Sequence, residues 1–261
     1  MGNGPAHLKR ALADLAGVSS EAITVEERPF ELGTTFRILR AVSDRVRESI
    51  ADNRLPILLA GGCLSSLGAL AAIGSDTTAM IWFDAHADFN TPETTPSGFI
   101  DGMALAAITG RCWRILAASV PGFRPMHEKN VMLIGARDLD TEERTFLERS
   151  EITYLSPESI RQKGVEGCLS EVLARLPGRV YLHLDLDVLD RTEARVNEYS
   201  STGGLTVSEL LHIIRFVGHN RTIVGAAITA YDPSVDCDSK ALHAGVAVIK
   251  ALLAAACIDV S

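Results

Sequence analysis

The 261-residue sequence has no internal repeat, no block of like charge, no linker-like stretch and no C-x-x-C pair. These absences leave one domain, 1–261, as the organisation expected for this length. Five cysteines, Cys63, Cys112, Cys168, Cys237 and Cys257, are odd in number and widely spaced. That excludes a disulfide framework and a zinc knuckle, and it fits a reducing, cytoplasmic setting. The opening MGNGPAHLKR lacks a basic segment followed by an apolar one, so no secretory signal is expected. Cationic charge is also short: 25 Lys and Arg stand against 33 Asp and Glu, a formal charge of −8. Such a chain repels phosphate backbones and has no nucleic acid partner, but it is suited to hold cations. The one long uncharged run, 55–75, could span a bilayer by length. Pro56, the Gly61-Gly62 break and the Ser65-Ser66 pair divide it into strand, turn and helix, so no membrane span is expected.

What is present is a rhythm. Hydrophobic residues make up 47% of the chain, enough for a sizeable core. Short apolar runs at 57–60, 79–83, 131–134, 153–155, 180–186 and 223–228 read as strands. They alternate with helical patterns at 7–15, 35–53, 66–73, 102–109, 141–150, 165–176, 206–217 and 240–257. Thr206 and Glu209 have capping-box spacing. This alternation predicts parallel β-α units, whose strand-to-helix loops gather on one edge where α/β proteins place ligands.

Those loops carry the chemistry. Asp84-Ala85-His86-Ala87-Asp88 follows the apolar run MIWF, and strand alternation would aim Asp84, His86 and Asp88 at one point. YLHLDLDVLD brings Asp185 and Asp187 in the same fashion. A lone Asp after a strand ordinarily caps a helix. Two matched acidic pairs exceed that need, and carboxylates beside one imidazole suit a hard divalent cation, manganese among them. His183 reads as a core histidine or one lying behind the ligands. Cys112, Cys168, Cys237 and Cys257 read as structural thiols.

These segments resemble the ureohydrolase superfamily of arginases and agmatinases. The resemblance rests on DAHADFN at 84–90 and DLDVLD at 185–190, with GARDLD at 135–140, GGLT at 203–206 and GAAITAYDP at 225–233 following in order. It implies an α/β fold of three layers, α/β/α, with a mostly parallel sheet, and a hydrolase that uses two Mn2+ ions to activate water. In that family a Gly-Gly-x-His segment before a helix supplies a ligand, and counting back from Gly68 in AGGCLSSLG places Cys63 where the histidine should be. The resemblance implies Cys63, Asp84, Asp88 and Asp185 around one ion and His86, Asp84, Asp185 and Asp187 around the other. Asp88 would orient the attacking water, and Asp88 or Asp101 would protonate the leaving amine.

It also implies a small arginine-like amino acid as substrate. Asn90, Thr95 and Ser97 match the α-carboxylate contacts, and Asp140 and Glu143 the α-amino contacts. The other end departs from the family: Ala230 stands where family arginases carry the glutamate that pairs with guanidinium, Asn197 replaces a threonine and Glu198 a glycine. Asp101 replaces the histidine shuttle. Together with Cys63, these departures resemble the Nω-hydroxy-L-arginine hydrolases of D-cycloserine biosynthesis, which release hydroxyurea and L-ornithine. Two alternatives remain open: an arginase or another guanidino-acid hydrolase in which Glu198 replaces the missing glutamate, and a metal-binding relative without activity. Because the chain ends soon after its last helical pattern, a monomer is expected rather than the family's trimer.

Overall fold

Six strands form one sheet in the computed structural model, which describes residues 1–27 and 30–256. They are β1 (Ile57–Leu59), β2 (Thr78–Phe83), β3 (Val131–Ile134), β4 (Thr153–Leu155), β5 (Arg179–Asp185) and β6 (Thr222–Thr229). The order is β1-β6-β5-β2-β3-β4, and every ladder between them is parallel. Central β2 is buried at all six positions, as expected where helices cover both faces. Edge strands β1 and β4 are only partly covered.

Alternate side chains of the sheet divide between two cores. Ile81, Phe83, Leu182 and Leu184 pack against α1 (Gly4–Ala11), α7 (Pro157–Arg175), α8 (Val207–Asn220) and α9 (Lys240–Ala256). Met80, Trp82 and Tyr181 face α2 (Glu31–Ala51), α3 (Ser65–Ile73), α4 (Ala104–Ile108), α5 (Arg114–Ala118) and α6 (Thr141–Glu148). The three-layer α/β/α expectation therefore holds. Gly68 lets α3 approach α2, since a Cβ there would lie 2.5 Å from the Leu39 carbonyl oxygen.

The 55–75 run is β1, a loop and α3. Among the described residues no helix is long and apolar enough to cross a membrane. The Thr206–Glu209 capping box forms as expected. Other boundaries move. The helix expected at 165–176 is present, and a further helical stretch precedes it from Pro157, with Ser156 accepting the Ser159 amide. The two stretches meet at Gly164, whose non-helical φ of 76° breaks the axis between them. The 102–109 pattern becomes a 3-10 turn, Asp101–Met103, followed by the short α4. Helix α5 was not legible, because it starts from a left-handed Trp113 and runs only five residues. Cys257, the end of the last expected helix, lies outside the described residues. The other four cysteines are free thiols.

The topology selects the site. β2 continues to β3 on one side while β5 continues to β6 on the other, so the chain leaves these adjacent strands in opposite directions. At such a switch point the loops part, leaving a crevice at the strands' carboxyl ends.

Candidate functional site

Phe83 of β2 pairs in register with Leu184 of β5, so the next residues, Asp84 and Asp185, enter the crevice side by side. The strand alternation expected for 84–88 does not occur, since β2 stops at Phe83. Instead Asp84 Oδ1 accepts the His86 amide at 2.8 Å, and Asp88 turns the chain with a left-handed φ of 51°. A tight turn therefore gathers Asp84, His86 and Asp88. Asp187 arrives similarly, in a 3-10 turn whose amide donates to Asp185 Oδ1 at 2.8 Å. Its own Oδ1 accepts the Ala85 amide at 3.2 Å, tying the two acidic segments together.

His86 Nδ1 lies 3.2 Å from Asp84 Oδ1 and 3.6 Å from Asp187 Oδ2. Cys63 Sγ lies 3.2 Å from Asp185 Oδ2. The Gly61-Gly62 loop lies close against Asp101: a Cβ on Gly62 would fall 2.3 Å from Asp101 Oδ2. Asp101 Oδ1 accepts the Leu64 amide at 3.1 Å, so its carboxylate braces the loop that carries Cys63. Two groups of side chains each hold their ligand atoms within 4.8 Å of one another, Asp84–His86–Asp187 and Cys63–Asp84–His183, and Asp84 belongs to both.

The charge arrangement is unfavourable without cations. Burial and the charges of Asp187 and Asp84 push the Asp185 carboxyl well up. Burial, then Asp84, Asp185, Glu143 and Asp101, does the same to Asp88, and burial with Asp185, Asp88, Asp84 and Asp101 raises the Cys63 thiol. Burial disfavours protonated His86, yet its hydrogen bond to Asp84 and the charges of Asp187, Asp84 and Asp138 hold its pKa at about 9. Among the described residues, Asp88 Oδ2 is buried without a hydrogen-bond partner. Orphaned buried oxygens of this kind call for a ligand. Oxygen donors, one imidazole and one sulfur fit divalent first-row metals.

Beside this cluster, Asn90 Nδ2 donates to Asp140 Oδ2 at 2.9 Å. Glu143 is 3% exposed and accepts the Phe89 amide at 2.8 Å; burial, aided by Asp140, raises its pKa to about 7. Thr95 and Ser97 lie on the rim loop, where their hydroxyl oxygens accept the amides of Gly98 and Phe99. Asn197 is buried and donates both to Asp187 Oδ2 at 3.2 Å and to the Ala230 carbonyl at 3.1 Å. Ala230 follows β6 with φ 62° and is buried. Glu198 is exposed and hydrogen-bonded to Arg195 at 2.6 Å. An open depression of about 460 Å³ reaches His86 past Asp138, Arg191, Glu198 and Tyr199.

Some contributors were not read from the sequence. Arg137 donates to the carbonyls of Gly135, Asp187, Val188, Leu189, Ser201 and Thr202, binding the 187–204 loop to the end of β3. Its only sequence signal is a basic residue inside the acidic GARDLD segment. Trp82 Nε1 donates to Asp84 Oδ2 at 3.1 Å from within an otherwise apolar strand.

The model of the arginase family matches residues 3–255. The chain belongs to the arginase family. It is 31% identical to the arginase of Bacillus caldovelox, over 94% of this chain and 86% of that one, and 29% identical to the arginase of Bacillus subtilis over 95% and 88%. The crystal structure of arginase from Bacillus cereus superposes with a TM-score of 0.87 at 28% identity, covering 96% of this chain and 91% of that chain. Arginase-family enzymes are hydrolases of guanidino compounds with a binuclear metal centre, usually manganese. The shared Asp84, the orphaned Asp88 oxygen and the mixed donor set fit such a centre.

Proposed function

We propose that this arginase-family chain is a binuclear-manganese hydrolase that cleaves Nω-hydroxy-L-arginine to hydroxyurea and L-ornithine, a step suited to D-cycloserine biosynthesis. Ala230 carries the substrate assignment. It is 6% exposed, beside Asn197, where family arginases place a carboxylate for the guanidinium. A buried cation left without its partner costs roughly 3–5 kcal/mol. An N-hydroxyguanidine is less basic, can enter neutral and escapes that cost. Glu198 does not substitute, because it is exposed and engaged by Arg195.

Cys63, Asp84, Asp88 and Asp185 would hold one ion, and His86, Asp84, Asp185 and Asp187 the other, with Asp84 and Asp185 shared. When bound, the two ions supply a water acidified towards hydroxide near neutral pH. Asn90, Thr95, Ser97, Asp140 and Glu143 orient the amino-acid end of the substrate, and Asn197 stands at the other end, its amide held by Asp187 and the Ala230 carbonyl. Asp88 would accept a proton through the carboxylate oxygen that does not hold the ion. Asp88 or Asp101 returns a proton to the side-chain nitrogen of ornithine as it leaves. Asn197 also holds Asp187 in place.

The arginases similar to this chain over most of its length favour a second reading, L-arginine as substrate. Side-by-side turnover of the two amino acids by the manganese-loaded protein, with urea and hydroxyurea resolved chromatographically, separates them. A higher kcat/KM on Nω-hydroxy-L-arginine is expected, and faster turnover of L-arginine overturns the proposal.

A further inference from the structure

Beneath the crevice floor, four fully buried side chains form a hydrogen-bonded line that the chemistry above does not use. Tyr181 Oη donates to Ser66 Oγ at 3.1 Å, and Ser66 Oγ lies 2.8 Å from His183 Nδ1. His183 Nε2 lies 3.4 Å from Thr229 Oγ1. Thr229 Oγ1 then reaches Asp185 Oδ2 at 3.4 Å and Cys63 Sγ at 3.6 Å. Trp82 stacks on the His183 ring at 3.5 Å and fixes its plane, while its Nε1 donates to Asp84.

The Tyr181 end sets the polarity of the line. Among the described residues the phenol's one acceptor is Ser66, so its hydrogen goes there. Ser66, having accepted, turns its own hydrogen to His183 Nδ1. A neutral imidazole that accepts at Nδ1 carries its hydrogen on Nε2 and donates it to Thr229. The Thr229 hydroxyl hydrogen is thereby left facing Asp185 and Cys63. The opposite polarity would strand the phenol hydrogen in a dry interior and turn the Thr229 hydroxyl hydrogen away from Asp185 and Cys63.

We infer that His183 and Thr229 are positioning residues: a one-way line of donors from Tyr181 delivers the Thr229 hydroxyl to the Cys63 sulfur and Asp185 Oδ2, orienting both towards the metal. His183 is then not a ligand despite its nearness to Cys63 and Asp84, because hydroxyls occupy both of its nitrogens. Partners behind the ligands commonly alter metal affinity by about 10–100-fold. The inference rests on the proposed metal centre.

The test is Co2+ titration of the metal-free full chain, following the sulfur-to-cobalt charge-transfer absorption together with affinity from equilibrium dialysis. Thr229→Val, which removes only the hydroxyl, is expected to weaken Co2+ binding by about 10-fold and to shift the sulfur band. Thr229→Ser restores both. Tyr181→Phe, at the far end, lowers affinity a few-fold by releasing the polarity. An unchanged affinity and band in Thr229→Val, a serine variant as poor as the valine one, or an unaltered Tyr181→Phe overturns the inference while leaving the metal centre standing. Absence of any sulfur band in the unmodified protein overturns the metal role of Cys63 and this inference with it.

Discussion

Ala230→Glu tests the substrate assignment by restoring the carboxylate that the site lacks. Ala230 is 6% exposed, and its backbone is already left-handed at φ 62°, so a longer side chain adds no new class of backbone strain. A paired buried cation gains roughly 3–5 kcal/mol over an unpaired one, which is about two to nearly four decades in rate. The new glutamate must itself lose water close to Asn197 and Asp187, so the lower end applies. We expect kcat/KM on L-arginine to rise about 100-fold, with less than about a threefold change on Nω-hydroxy-L-arginine. Steady-state kinetics on the folded, manganese-loaded variant, checked for metal content, gives both numbers. An unchanged rate on L-arginine, or equal gains on both substrates, refutes the reasoning.

Three further outcomes are expected. Asp101→Asn keeps an acceptor for the Leu64 amide and Asp101→Ala does not, so thermal melting and metal content should survive the first and fall in the second. Activity lost in the asparagine variant alone, with metal retained, identifies the carboxyl proton as the working feature; full activity in it confines Asp101 to bracing the loop. Glu143 carries its proton higher in the fold, at about 7 against an ordinary 4.5. Its contribution is therefore fully present below pH 4.5 and lost as pH rises through 7, about 3 kcal/mol in the metal-free protein at 1.4 kcal/mol per pH unit. Urea unfolding of metal-free Glu143→Gln should show a flatter decline over that window, and an unaltered profile contradicts it. Arg137→Lys loses the planar fork that serves six carbonyls and should cost about 2–4 kcal/mol in denaturant unfolding while loosening the 187–204 loop to proteolysis.

Much of the site was legible because its chemistry is concentrated in short acidic segments at strand ends. Asp84, His86, Asp185 and Asp187 stand out against apolar runs, and the β-α rhythm places those runs in one parallel sheet. The means of convergence was not legible. Alternation along a strand was expected for 84–88, whereas a turn closed by the His86 amide and the left-handed Asp88 does the work. Tertiary neighbours decide that conformation, and local pattern does not carry them. The same limit hid the supports behind the ligands. Trp82 and Thr229 look like ordinary strand residues until the β2-β5-β6 register places them beneath Asp84, Asp185 and Cys63. Asp101 was read as a proton donor, and its contact with the Gly62 loop depends on two segments about forty residues apart meeting in space.

The anomalous scattering of crystals soaked in Mn2+ after chelation bears on the whole scheme. Two peaks per chain are expected, flanking the Asp84 and Asp185 carboxylates, one against Cys63 and Asp88 and the other against His86 and Asp187. A single peak, or none at that position in crystals of active protein, rules out the binuclear centre.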